Sequence, residues 1–121
     1  MLNALKTIWK AMTGQAFKNM TPKEFWAAYE QDPNAVLLDV RTPMEYREAH
    51  LKGAKLIDIN GGNFAAEIDK LDKNKTYYVY CRSGGRSSAA CGLMASKGFA
   101  HLVNMSGGIT RWMAEGMPVE R

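Results

Sequence analysis

The chain has 121 residues, 46% hydrophobic and 23% charged. It is sized for one globular domain, too short for two ordinary ones and too apolar for disorder. Sixteen Lys/Arg against 12 Asp/Glu give a formal charge of +4 with no run of five like charges. That balance argues against nucleic acid as a partner and fits a weak pull on small anions.

Residues 1–12, MLNALKTIWKAM, space Leu2, Leu5, Ile8, Trp9 and Met12 as on one helix face. Lys6 and Lys10 interrupt any signal-peptide core, and no A-x-A cleavage site follows. Residues 1–15 are therefore expected to form an amphipathic extension docked on a domain of residues 16–121, with membrane-surface contact as the alternative. No apolar stretch of about 18 residues occurs, so no transmembrane segment is expected. Ala16 to Met20 reads as a short strand. Thr21-Pro-Lys-Glu24 is a capping box with proline at the first helical position. It opens a helix through Tyr29 that Asp32-Pro33-Asn34 stops.

Ala35 to Val40 is a continuous apolar run of strand length, and Thr42-Pro-Met-Glu45 repeats the capping signature. Ala54 to Ile59 is strand-like, residues 60–63 form a turn, and Phe64 to Leu71 is helical. Thr76 to Tyr80 is β-branched and aromatic throughout, as expected of a central strand covered on both faces. Ser87 to Lys97 is small and helical, with Gly98 to end it. His101 to Met105 is the last strand and Ile109 to Glu115 the last helix. Unbroken apolar strands alternating with helices predict an α/β fold of three layers, α/β/α, around a central, mainly parallel five-stranded sheet.

In such a sheet, ligand sites lie outside the carboxyl ends of the strands, and Cys81 directly follows the most hydrophobic one. The segment Cys-Arg-Ser-Gly-Gly-Arg-Ser, residues 81–87, is built to hold an anion. Gly84 and Gly85 let the backbone curl so that consecutive N–H groups point inward. Ser87 is read as the cap of the next helix, whose positive end faces the same centre. Arg82 and Arg86 add fixed charge. A helix terminus with cations lowers a thiol pKa from ~8.5 toward ~3.5–7.5, so Cys81 is the expected nucleophile.

Two cysteines ten residues apart make no disulfide framework, and no CxxC or His/Cys cluster offers a metal site. Cys91 is expected in the core rather than as a partner for Cys81. The free thiols and the lack of a targeting signal favour the cytoplasm.

Three segments in order carry a resemblance: Leu37 to Ala54 (LLDVRTPMEYREAHLKGA), the loop 81–87, and Met105 to Val119 (MSGGITRWMAEGMPV). Together they make the chain similar to the single-domain rhodaneses, which are sulfurtransferases, over about Phe17 to Val119. The related phosphatases of that fold use a longer Cys-x5-Arg loop, whereas Cys81 to Arg86 is Cys-x4-Arg. The pattern CRxGxR looks like that of thiosulfate sulfurtransferases rather than of mercaptopyruvate-using relatives.

The resemblance implies transfer of sulfane sulfur from thiosulfate or a persulfide to a thiophilic acceptor through a Cys81 persulfide. The acceptor would be cyanide or a thiol, with thioredoxin or glutathione as carriers, and no cofactor is implied. The amides of Arg82, Ser83, Gly84, Gly85 and Arg86 are expected to hold the persulfide. Arg82 would bind the sulfonate end of the donor, and Arg86 would close the loop. Asp39 and Arg41, at the same sheet edge, are expected to form structural hydrogen bonds that fix the strand-to-helix turn, with reach into the loop left open. Glu45 reads as the partner of the Thr42 cap, His50 as a satisfied structural histidine, and Trp112 as a packing residue. Residues 105–109 are expected to wall the pocket. A small-anion phosphatase or arsenate reductase on the same scaffold, or a non-catalytic interaction module, are the alternative readings.

Overall fold

The computed structural model describes residues 16–121. The amphipathic extension expected over residues 1–15 lies outside the described residues. The elements alternate along the chain: β1 (Lys18–Met20), α1 (Pro22–Gln31), β2 (Ala35–Asp39), α2 (Pro43–Glu48), β3 (Lys55–Leu56), α3 (Phe64–Asp69), β4 (Thr76–Tyr80), α4 (Gly85–Ser96), β5 (Leu102–Met105) and α5 (Gly108–Ala114). The strands form one sheet in the order β1-β5-β4-β2-β3. Every pairing is parallel, with Leu38 beside Val79 and Tyr78 beside Val103.

Side chains of successive strand residues point to opposite faces, and the two cores follow that rule. Leu38, Val40, Tyr77 and Val79 pack with Phe64, Ile68, Met94 and Phe99 from the side of α3 and α4. Leu37, Tyr78 and Tyr80 pack with Phe25, Ile109 and Trp112 from the side of α1 and α5. With β4 covered on both faces, its aromatic run is fully used. Trp112 is buried as expected, its ring edge-on to Trp26 and its Nε1–H donated to the Pro118 carbonyl at 2.9 Å.

Both capping boxes form. Thr21 and Glu24 exchange hydrogen bonds at 2.9 and 3.3 Å, and Thr42 and Glu45 at 3.1 and 3.2 Å. Most boundaries shift from expectation by one or two residues, and two of the shifts have a visible cause. The strand expected over Ala54 to Ile59 shrinks to Lys55–Leu56, at the edge of the sheet. Ile57 N–H still donates to the Asp39 carbonyl and Ile59 N–H to that of Val40. Two residues on one side now match one on the other, which breaks the regular ladder. The helix expected from Ser87 begins instead at Gly85, because Gly84 turns with φ +109° and serves as its N-cap.

Candidate active site

Cys81 is the first residue beyond β4. Strand alternation sends its side chain to the α4 face, where it is 1% exposed. The chain then reverses through Gly84 so that α4 starts beside the sulfur. No side chain caps α4. The first N–H groups of a helix need acceptors, and here the sulfur is one. The Gly84 N–H donates to Cys81 Sγ at 3.1 Å, and the Ser87 hydroxyl donates to the same sulfur at 3.3 Å. Burial pushes the Cys81 thiol up. Hydrogen bonds from the Ser87 hydroxyl and from the amides of Ser87, Gly84 and Ser83 outweigh it, so the thiol is held below its ordinary pKa.

Ser87 is therefore not the cap of the helix. It lies inside α4, fully buried, with its hydroxyl shared between Cys81 Sγ and the Gly84 carbonyl oxygen at 3.2 Å. The amides that lower the Cys81 thiol pKa are those of Ser87, Gly84 and Ser83.

The two loop arginines part company. Arg86 makes a bidentate ion pair with Glu45, at 2.7 and 2.8 Å. Glu45 thus closes the Thr42 cap and anchors the loop together, and the Arg86 guanidinium holds its carboxyl down at about 2. Arg82 is exposed and its guanidinium makes no hydrogen bond or ion pair with the described residues. Ser83 and Gly85 are exposed beside it.

Behind the loop lies the turn between β5 and α5. Gly107 and Gly108 take φ +79° and +60°, which frees the first amides of α5 to face the loop. Ile109 N–H donates to the Cys81 carbonyl at 2.9 Å and Thr110 N–H to the Arg82 carbonyl at 3.0 Å. A Cβ on Gly108 would sit 2.6 Å from the Cys81 carbonyl oxygen and against the Arg82 carbonyl. Residues 105–109 thus act as a buttress for the carbonyl side of the loop, which leaves its N–H groups for the sulfur.

A family model described as "Rhodanese-like domain" matches residues 21–115. The chain belongs to the rhodanese-like domain family. The protein named "Probable adenylyltransferase/sulfurtransferase MoeZ" of Mycobacterium tuberculosis is 32% identical over 99 residues, 82% of this chain. The chain spans only 25% of that relative's length. The thiosulfate sulfurtransferase GlpE of Pseudomonas fluorescens is 32% identical over 96 residues, covering 79% of this chain and 84% of the relative. Among solved structures, a rhodanese-related protein from Thermoplasma volcanium superposes with TM-score 0.75 at 27% identity, covering 86% of this chain and 98% of its own. The all-parallel sheet with interleaved helices is thus a rhodanese-like fold.

In this rhodanese-like domain, Asp39 and Arg41 make turn-fixing hydrogen bonds as expected, and they make them with each other. Arg41 Nε donates to Asp39 Oδ1 at 2.9 Å, its terminal nitrogen to Oδ2 at 2.6 Å, and its backbone N–H to Oδ1 at 3.0 Å. The same guanidinium reaches the Ala49 carbonyl at 2.6 Å. Tyr80, next to Cys81, donates its hydroxyl to Asp39 Oδ2 at 2.6 Å and accepts from Leu51 N–H. Burial and the Asp39 carboxylate push the Tyr80 phenol well above its ordinary value, so it stays a donor. His50 is satisfied structurally, with Nδ1 2.8 Å from the Tyr46 carbonyl and its ring stacked on Tyr46. Cys91 is fully buried in the α4-side core, and burial drives its thiol up to about 12.

Sequence reasoning missed the Glu45–Arg86 pair, the Tyr80–Asp39 bond and the Gly108 buttress. The first two join residues 41 positions apart, and no local pattern marks such a pair. A doubled glycine opening the last helix was the available signal for the third. Among the described residues no three His, Cys, Asp or Glu side chains cluster as metal ligands, and no helix is long and apolar enough to cross a membrane.

Proposed function

We propose that this rhodanese-like domain is a sulfurtransferase that carries sulfane sulfur on Cys81, with thiosulfate as a donor. The observation that carries the reading is the solvation of the buried Cys81 sulfur by N–H and O–H donors in place of water. Such a site stabilises a thiolate before the donor arrives and an anionic adduct afterwards.

The chemistry needs two displacements. In loading, the Cys81 thiolate attacks the outer sulfur of thiosulfate. A new S–S bond forms, the old one breaks, and its electron pair leaves with sulfite. Charge is conserved: a monoanion and a dianion give the Cys81 persulfide monoanion and sulfite dianion. In discharge, a nucleophile such as cyanide or a thiolate attacks the outer sulfur, and Cys81 leaves as the thiolate. No general base is required, because the attacking sulfur is already ionised.

Residue roles follow from position. Arg82 offers its uncommitted guanidinium to the sulfonate end of the donor. Arg86, tied to Glu45, fixes the first turn of α4 rather than meeting the donor. The amides of Ser83, Gly84 and Ser87 hold the sulfur, while Gly85 leaves the rim open. Asp39 and Arg41 support the neighbouring turn. The relatives' names and the Cys-x4-Arg loop favour sulfur over a phosphoryl group. A thiol acceptor, carried by glutathione or thioredoxin, suits the same displacement, as does a cytoplasmic setting.

Mass spectrometry after thiosulfate treatment tests the proposal: Cys81 should gain one sulfur atom, and cyanide should remove it as thiocyanate. Cys81→Ser should abolish both. Arg82→Ala should raise the thiosulfate KM about tenfold, the effect of losing one charge-assisted contact, with folding stability unchanged. Full transfer activity in Cys81→Ser, or phosphate-ester hydrolysis without sulfur uptake, would overturn the reading.

A further inference from the structure

The Ser87 hydroxyl lies 3.3 Å from Cys81 Sγ and 3.2 Å from the Gly84 carbonyl oxygen, with Ser87 fully buried. A serine hydroxyl has one proton to donate and turns to suit its surroundings. Two acceptors therefore compete for that proton. A hydrogen bond to an ionised acceptor is roughly twice as strong as a neutral one, so the charge on Sγ decides the contest. The other donors that reach the sulfur are backbone amides, whose protons are fixed in direction. Among the described residues, Ser87 supplies the one rotatable donor to the sulfur.

Resting on the sulfurtransferase reading above, we propose that Ser87 is a catalytic residue of the discharge step. Its hydroxyl donates to Sγ when that sulfur is a thiolate and turns to the Gly84 carbonyl when Sγ becomes the uncharged inner sulfur of the persulfide. During loading, the negative charge moves from Sγ to the outer sulfur and then resides there, and the hydroxyl lets go of Sγ. During discharge, the S–S bond breaks, its electron pair returns to Sγ, and the hydroxyl swings back to stabilise the leaving thiolate. The proton stays on the serine throughout, so no acid or base is consumed.

The two half-reactions feel this hydroxyl with opposite sign. It raises the thiolate fraction near neutrality but blunts each thiolate, because nucleophilicity falls as thiol pKa falls, with a Brønsted slope of roughly 0.4–0.5. In discharge it improves the leaving group. Near Cys81, Arg86 is held cationic by Glu45 and Cys91 is held protonated by burial. The thiol titration of the site is thus that of Cys81.

The test compares the wild-type chain with Ser87→Ala and Ser87→Thr, circular dichroism verifying the fold of each. Iodoacetamide alkylation of Cys81 against pH, with Cys91 occlusion checked by peptide mapping, should show the Ala variant's midpoint raised by about one pH unit. Single-turnover loading by thiosulfate and discharge by cyanide are then followed at one pH above both midpoints. Loading in Ser87→Ala should be unchanged or up to about threefold faster. Discharge should be slowed about three- to tenfold. Ser87→Thr, which keeps the hydroxyl, should restore the wild-type midpoint; if its extra methyl unfolds the chain, the Ala comparison alone decides.

Equal slowing of both half-reactions, or a discharge rate unaffected by the Ala change, would overturn the proposal. Failure of the wild-type chain to take up sulfur would instead sink the parent reading and the discharge role with it. The alkylation midpoints would still show whether Ser87 holds the thiolate.

Discussion

Two strand-to-helix turns lie side by side at the carboxyl edge of the sheet, one after β2 and one after β4, and they treat their polar groups in opposite ways. After β2, the Asp39 carboxylate gathers the Arg41 backbone and guanidinium together with the Tyr80 hydroxyl, and Thr42 and Glu45 cap α2 reciprocally. The donors there go mainly to carboxylate oxygens, of Asp39 and of Glu45. After β4, Gly84 replaces the capping side chain, and the sulfur of Cys81 collects the donors. The turn after β2 carries its own counter-charge. The turn after β4 has a polarisable sulfur in that place. Glu45 links the two by reaching from α2 to Arg86.

The largest expected effect comes from breaking the satisfied turn. Arg41→Met strands a buried Asp39 carboxylate and should cost about 3–5 kcal/mol in urea denaturation. In the folded fraction the Cys81 alkylation midpoint should hardly move, because Arg41 is not among the donors to the sulfur. A large midpoint shift would show the turns to be one electrostatic unit.

Gly108→Ala should act on the turn after β4 from behind. A methyl at φ +60° pressed on the Cys81 and Arg82 carbonyls should cost about 1–3 kcal/mol. It should also tilt the loop, raising the alkylation midpoint of Cys81. Unchanged stability with unchanged reactivity would mean that the buttress is dispensable.

The smallest effect tests the link. Glu45 has a folded pKa of about 2 against an ordinary 4.5. Its stabilisation is therefore complete above the ordinary value and is lost as pH falls from there toward 2. Glu45→Gln should cost on the order of 1 kcal/mol at neutral pH, since the pair is partly solvated. It should also flatten the acid limb of the stability profile. An unaltered acid limb would assign the low pKa no part in folding.

What was legible in the sequence was local or periodic. Thr21 with Glu24 and Thr42 with Glu45 are three residues apart, so the rule that reads them is the interaction itself. The run Thr76–Tyr80 reads as a central strand, and the structure places it between β5 and β2 with Cys81 directly after it. Ser87 was misread because a serine near a helix start looks like a cap, while the left-handed turn at Gly84 that starts the helix earlier has no side chain to show. The length of β3 depends on its neighbour's register, which sequence alone does not carry. The pairing of Arg86 with Glu45, across 41 positions, became visible only once β2 and β4 stood side by side.

The contact of Ile109 and Thr110 with the backs of residues 81 and 82 has a consequence for anyone who would borrow this chemistry. Residues 81–87 are not held by their own bonds alone, since amides from 28 positions further along bind the carbonyls of residues 81 and 82. Grafted onto another scaffold without an equivalent clamp, the same seven residues would be free to flip their peptide planes. An ordinary, slow thiol would result.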